Sequence, residues 1–387
     1  MDDVRSIVTL KTAKIAEIKV PAQTEIPTTD LALQGARNLL VNCVGLQAGD
    51  RVLLVEEEYG LGYFDSDAPQ IVATEARRIG AEVLTMTTSR APGPGAIPAA
   101  LTAAMEYVDH TIFMNRIGDQ MRFKSLPGRG SKTMVYTLDA DMLAAGSTQL
   151  PHLFMVRMID AFNSEMSQAK TWRVTCPAGT DVSGEVPAEM ARQSKDTGNF
   201  TVNLFPTSVH KPLPAGSMNG RIVLGRFITG TNTNVYSPEV HFIESPITAT
   251  IENGRVADFD GNPRCIDRFR AHSKMVAELF GLDETLIHSW HCGLNPGTAY
   301  FGKAADDPVR WNGMIFGSPR HLHFHTCGDY PPGEINWHII DPTVRFDNQV
   351  FVECGEVTFF QSARAQALIK EFGIVPAQLK TEQEIGL

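Results

Sequence analysis

In RHLHFHTCGDYPPGEINWHIID (320–341), His321, His323 and His325 recur at every second residue. Successive side chains of a strand alternate faces, so the three imidazoles line one surface while Leu322 and Phe324 fill the other. The CGDYPPG segment (327–333) carries the Pro and Gly punctuation of a chain reversal. Beyond it Glu334, Asn336 and His338 alternate with Ile335, Trp337 and Ile339. Pairing the two runs about Tyr330 and Pro331 sets His325 opposite Asn336 and His323 opposite His338. The result is an antiparallel hairpin with four imidazoles and a carboxylate on one face. A helix over the same stretch would scatter the histidines around its circumference.

Such a face can be satisfied by hydrogen bonds alone. Neutral imidazoles packed together are nevertheless poor mutual partners unless something between them accepts their lone pairs, and a divalent cation does that directly. Six of the eleven histidines fall between 288 and 338, which concentrates the donors in this region. The expected metal ligands are His291, His323, His325, Glu334 and His338, a mixture of imidazole and carboxylate that suits Zn, Fe or Mn. His288 and His291 stand in IHSWHCGLNP (287–296), just before a Gly-Leu-Asn-Pro turn where a side chain can be held over a cavity. In SPEVHFIES (237–245), Glu239 and His241 share one strand face and Glu244 takes the other, which makes Glu239 a further candidate.

Composition bounds the function. With 387 residues, 43% of them hydrophobic and 20% charged, the chain suits two globular domains with a core each. A formal net charge of −10, without a long Lys/Arg cluster, argues against nucleic acid or an anionic membrane surface as partner. The opening MDDVR lacks the basic and apolar regions of a secretory signal, and no run reaches the length of a membrane span, so a cytoplasmic location is expected. Six cysteines scattered without C-x-x-C spacing indicate neither a disulfide framework nor a zinc knuckle.

Helical patterns at 31–45, 70–79 and 97–107 alternate with apolar strand-length runs at 51–56, 81–86, 111–114 and 133–137. Such alternation predicts an α/β domain over 1–150, built on a parallel sheet covered on both faces. The turn after the first strand reads EEEYGLG (56–62) instead of G-x-G-x-x-G, and three carboxylates there would repel a pyrophosphate. These glutamates read as a solvated turn, a substrate rim or a subunit contact. A helix at 153–166 leads into a strand-rich α+β domain over 151–387, expected to hold the metal. Its strands are placed at 171–176, 221–225, 247–251 and 255–259, with a hairpin signal at 252–254 and helices at 265–281 and 362–372. Glu382 and Glu384 are expected to be mobile.

Several segments together resemble the thermophilic-type metalloaminopeptidases and their relatives the 2,5-dihydroxypyridine 5,6-dioxygenases. They are LQAGDRVLLV (46–55), CPAGTDV (176–182), PEV (238–240) before Pro246, GLNP (293–296) and DPTVRFDN (341–348). The resemblance spans about 30 to 358 and implies an α/β amino-terminal domain, a metal-holding carboxy-terminal domain and a homodimer or higher homo-oligomer. Its peptidase branch uses two metals with glutamates as well as histidines, and its dioxygenase branch one Fe(II) with two histidines and an aspartate. By this resemblance Glu239 matches a family glutamate, and Tyr330, seven residues after His323, matches the tyrosine of the peptidase site. Histidine before GLNP, at His288 or His291, tilts the chain toward the dioxygenases. The family's His-x-Asp falls here on Glu334 and Asn336, and His338 is the candidate for the missing nitrogen.

The expected function is therefore that of a mononuclear non-haem Fe(II) dioxygenase opening a hydroxylated aromatic or N-heteroaromatic ring with O₂. His288 or Glu239 would take a phenolic proton. Trp290, Trp311, Phe316 and Tyr330 would wall the pocket. The alternative is a Zn- or Co-dependent aminopeptidase or amide hydrolase with Glu239 or Glu334 as base.

Overall fold

The computed structural model describes residues 29–89, 96–122, 124–192, 202–231, 235–329 and 331–387. The helix Asp30–Arg37 runs on as a π-helix, Asn38–Val44, and stops at Gly45 in the left-handed conformation, as the 31–45 pattern predicts. Next comes β1 (Arg51–Glu57), whose Val52, Leu53, Leu54 and Val55 are all buried, the mark of a strand covered on both faces. Helices Asp67–Ile79 and Ala99–Tyr107 connect it to β2 (Glu82–Thr88) and β3 (His110–Met114), and β4 (Ser131–Val135) follows. All pair in parallel.

After the helix His152–Met166, β5 (Thr171–Thr175) and β6 (Asp181–Glu185) begin a second sheet. The chain then returns to the first, where β7 (Asn203–Phe205) pairs in parallel with β4 and completes the order β2-β1-β3-β4-β7. The rest of the second sheet is β8 (Leu213–Pro214), β9 (Asn219–Thr229), β10 (Val240–Glu252), β11 (Arg255–Gly261), β12 (Ile287–Cys292), β13 (His321–Cys327), β14 (Glu334–Ile340), β15 (Thr343–Phe346) and β16 (Gln349–Val352). Its pairings are antiparallel, in the order β16-β15-β5-β6-β9-β14-β13-β12-β8 with β10 and β11 carried on β9. A parallel α/β unit beside a strand-rich antiparallel unit is the architecture the sequence predicts.

The hairpin of β13 and β14 has the expected register, with His323 opposite His338 and His325 opposite Asn336. What fixes it is the other face. Leu322, Phe324, Ile335, Trp337 and Ile339 are all at or below 1% exposure, and Trp337 meets Phe269 of the helix Pro263–Phe280 edge-on at 5.6 Å. Burying each such side chain is worth about 1.5–3 kcal/mol. A slip of one residue would drive the imidazoles into this apolar layer and expose the aromatic ones, so the histidines keep to one side.

Three local expectations are corrected. His288 and His291, expected to be presented by a turn, lie on the strand β12, inserted between β8 and β13. Glu57 is not a solvated turn residue, because its carboxylate forms a buried ion pair with Arg116 at 2.8 Å. Glu382 and Glu384 are docked: the Glu382 N–H donates to Pro296 O (2.7 Å), the Tyr300 N–H to Glu384 O (3.0 Å), and Trp311 Nε1 to Ile385 O next door (2.8 Å). Among the described residues no helix is long and apolar enough to cross a membrane.

Candidate metal centre

The site is assembled on β12, β13 and β14. Directly opposite residues of antiparallel strands share a face, so His291, paired with His323, and Ser289, paired with His325, join the histidine surface. Between Ile287 and Ser289 the register shifts, and His288 is the extra residue of a bulge. His288 therefore leaves that row, and its Nε2–H donates to Cys327 O at 2.9 Å.

His291, His323 and His325 converge. One donor nitrogen from each lies within 4.8 Å of the other two, and Nε2 of His291 is 2.8 Å from Nε2 of His323 and 3.3 Å from Nε2 of His325. The tautomers are set from behind. Nε2 of the buried His210 accepts the Cys292 N–H at 3.1 Å, which leaves its proton on Nδ1, where it donates to Lys211 O at 2.8 Å. The His210 carbonyl faces Nδ1 of His291 at 3.3 Å and holds a proton there, so the Nε2 lone pair of His291 points into the cluster. Ser289 Oγ faces Nδ1 of His325 at 3.2 Å, and the Asp329 backbone also hydrogen-bonds that ring.

Burial keeps these rings neutral. It pushes the His325 pKa down to about 3 and those of His291 and His323 well below their usual range, with the neighbouring imidazoles adding to the effect. Neutral imidazole is the form that ligates a metal. Three nitrogens each about 2.0–2.1 Å from one ion would stand roughly 3 Å apart, close to the 2.8 and 3.3 Å that separate His291 from its two partners. The donor set fits a single divalent transition metal, and among the described residues no carboxylate belongs to it.

The other expected ligands lie elsewhere. His338 faces His323 across the hairpin, but its Nδ1 is 3.0 Å from His321 Nε2 and its Nε2 is 3.1 Å from Thr229 Oγ1. Both nitrogens thus face His321 and Thr229, away from the triad. Glu334 shares the histidine face but stands outside the cluster. Burial pushes its carboxyl up to about 8 against the pull of Arg122, with Asp329 and Asp119 adding to the rise. Glu239 sits just before β10, where its carbonyl accepts the Gly230 N–H at 2.7 Å. His241 stacks on His272 at 5.4 Å. Tyr330 lies outside the described residues. Of the expected pocket walls, Trp290 is fully buried against Trp172 and Phe346 on the opposite face, Phe316 packs edge-on to Tyr136, and Trp311 meets the rings of His321 and His338.

Several neighbours carry no sequence signal. Arg122 follows the short helix Arg116–Met121 of the parallel unit and pairs with Asp119 and, at 2.6 Å, with Tyr136 Oη. Its charge reaches across to lower the pKa values of His291, His325 and Glu334. Tyr236 presents a buried hydroxyl that makes no hydrogen bond among the described residues. Burial raises its pKa, and the charges of Glu239, Cys327 and Glu334 raise it further. A lone arginine, tyrosine or His210 in a sequence of ordinary composition points nowhere until the fold brings it in.

No protein-family model matches this chain, and no curated protein matches it in sequence. Among solved structures it is similar to 2,5-dihydroxypyridine dioxygenase from Pseudomonas putida, with a TM-score of 0.59 and 16% identity over 88% of this chain and 100% of that one. Wild-type AmpT from Thermus thermophilus matches with a TM-score of 0.45 and 11% identity, covering 85% of this chain and 99% of that one. At 16% identity the dioxygenase match establishes a shared fold.

Proposed function

We propose that the chain is a mononuclear non-haem Fe(II) dioxygenase that opens a hydroxylated aromatic or N-heteroaromatic ring, both atoms of O₂ entering the product. One observation carries the reading: among the described residues three neutral imidazoles converge with no carboxylate in the cluster. That donor set suits one redox-active ion with open positions better than a carboxylate-bridged pair of zinc or cobalt ions. A ferrous ion held there supplies the electrons that activate O₂ and a Lewis acid for the substrate's oxygen. The shared fold with a 2,5-dihydroxypyridine dioxygenase agrees with this, although fold by itself does not set chemistry.

In this reading His291, His323 and His325 hold the ion, and the His210 carbonyl orients His291. The substrate's phenolic proton needs an acceptor. His288 supplies one, because donation from its Nε2 to Cys327 O leaves the Nδ1 lone pair available. Tyr236 supplies a phenol hydroxyl with an open hydrogen-bonding capacity beside Glu334.

Protein purified anaerobically is expected to contain about one iron per chain and to consume oxygen on a dihydroxylated ring. Two zinc ions per chain with release of an amino acid from a peptide would replace this reading by the hydrolase. The reading also includes a homodimer or higher homo-oligomer, for which light scattering should return at least twice the mass of one chain. A monomer at micromolar concentration would end that part.

A further inference from the structure

One face of His291 belongs to the triad, and the residue also lines a cavity of about 630 Å³ between the helix His152–Met166, the segment before β8 and the loop preceding β4. Val156 and Ile159 of the helix stand with Leu126, Leu204 and Pro212 as its apolar lining. Its charged lining is mostly cationic: Lys132 and Lys211 contribute two ammonium groups, while Asp160, exposed on the helix, contributes one carboxylate.

Lys132 is unusual. Only 8% exposed, its ammonium donates to Gly128 O and Gly130 O, both at 2.7 Å, and among the described residues no carboxylate pairs with it. Burial lowers its pKa, because a charge removed from water without a counter-ion is costly. The carbonyl cradle is built in. A Cβ on Gly128, which has φ +75°, would lie 2.1 Å from Met105 O, and one on Gly130 would lie 2.5 Å from Asp109 O, so only glycine lets this loop press against its neighbours. Two of the three ammonium protons are used, and one remains for a ligand.

We infer that the cavity takes a small monocyclic aromatic or heteroaromatic carboxylate, its carboxylate paired with Lys132 and its ring lying between the apolar side chains and reaching toward His291. This rests on the reading of the triad as an oxygen-activating centre and narrows its substrate to a ring acid. A peptide's α-ammonium would instead meet a buried like charge.

Salicylate and its uncharged analogue salicylamide, titrated calorimetrically into metal-free protein, test the inference without any turnover. Salicylate is expected to bind about tenfold or more tightly than salicylamide. Lys132→Met should erase that preference with salicylamide binding unchanged, since loss of one partner of a desolvated charge pair weakens binding by about tenfold or more. Lys132→Arg should retain part of the preference and serves if the methionine variant does not fold. Equal binding of the two probes, no binding of either, or a salicylate affinity indifferent to both substitutions would overturn the inference. Because the titration contains no metal, failure of the iron chemistry leaves its result intact, and iron-dependent opening of neutral rings with no salicylate binding would sink the ring acid alone.

Discussion

His323→Ala is expected to fold and to lose its metal. Removing one of three imidazole ligands leaves two nitrogens: both nitrogens of His338 are engaged by His321 and Thr229, Glu334 stands outside the cluster, and His321, whose Nδ1 makes no hydrogen bond among the described residues, is outside it too. Metal content should fall from about one ion per chain to near zero, and affinity by more than the roughly 10- to 100-fold that loss of an outer partner costs. Activity should disappear with it. His291→Ala and His325→Ala should behave alike, whereas Ser289→Ala, which removes only the oxygen behind His325, should show the smaller outer-partner effect. The informative contrast is His338→Ala, which should keep most of its metal because no ligand is lost. Metal analysis of the variants after dialysis, with circular dichroism as a check on folding, reads the difference. If His338→Ala came out as metal-poor as His323→Ala, the ion would be held by another constellation.

That contrast also marks how far the sequence could be read. The hairpin is legible because period two is a geometric statement: alternation puts His321, His323, His325 and His338 on one face, and five apolar residues on the other pin the register. Facing across a strand pair does not decide where a ring turns. His338 sits where the sequence puts it, yet its nitrogens follow Thr229, which belongs to a strand more than a hundred residues away. His288 and His291 are equivalent in the sequence, three residues apart before GLNP. The bulge at His288 separates them, and nothing in the local residue types announces a bulge. The parallel unit is legible from its apolar runs, but Arg122 is not, since its effect on the site depends on how that unit packs against the antiparallel sheet. Lys132 is hidden for a similar reason. A lysine in SKTMV is an ordinary strand residue until two glycine carbonyls and a cavity enclose it.

Metal-free protein is expected to be less stable at pH 8.5 than at pH 6.5, and Glu334→Gln to remove most of that loss. Folding raises the Glu334 carboxyl from 4.5 to about 8, chiefly through burial, with Arg122 opposing and Asp329 and Asp119 assisting. A carboxyl with a raised pKa binds a proton on folding, so the folded state binds more protons than the unfolded state between about 4.5 and 8. Stability falls across that window as pH rises and levels off above it. At about 1.4 kcal/mol per pH unit the full effect would be on the order of 5 kcal/mol, of which the interval from pH 6.5 to 8.5 holds about 2 kcal/mol. The buried histidines act on the other side. His210, His321 and His325 are held at about 4, 3 and 3, so they are neutral when folded and charge on unfolding below about 6.5, and stability therefore falls again as pH drops from 6.5. The wild-type curve should be a dome. Glutamine in place of Glu334 cannot ionise, which should flatten the alkaline limb and steepen the acid one between about 4.5 and 6.5, where the opposing slope of Glu334 is lost. Urea unfolding of both proteins at constant ionic strength from pH 4 to 8.5 measures the two limbs. Parallel curves, with the alkaline decline intact in Glu334→Gln, would show that Glu334 is already ionised at neutral pH, held as the counter-ion of Arg122.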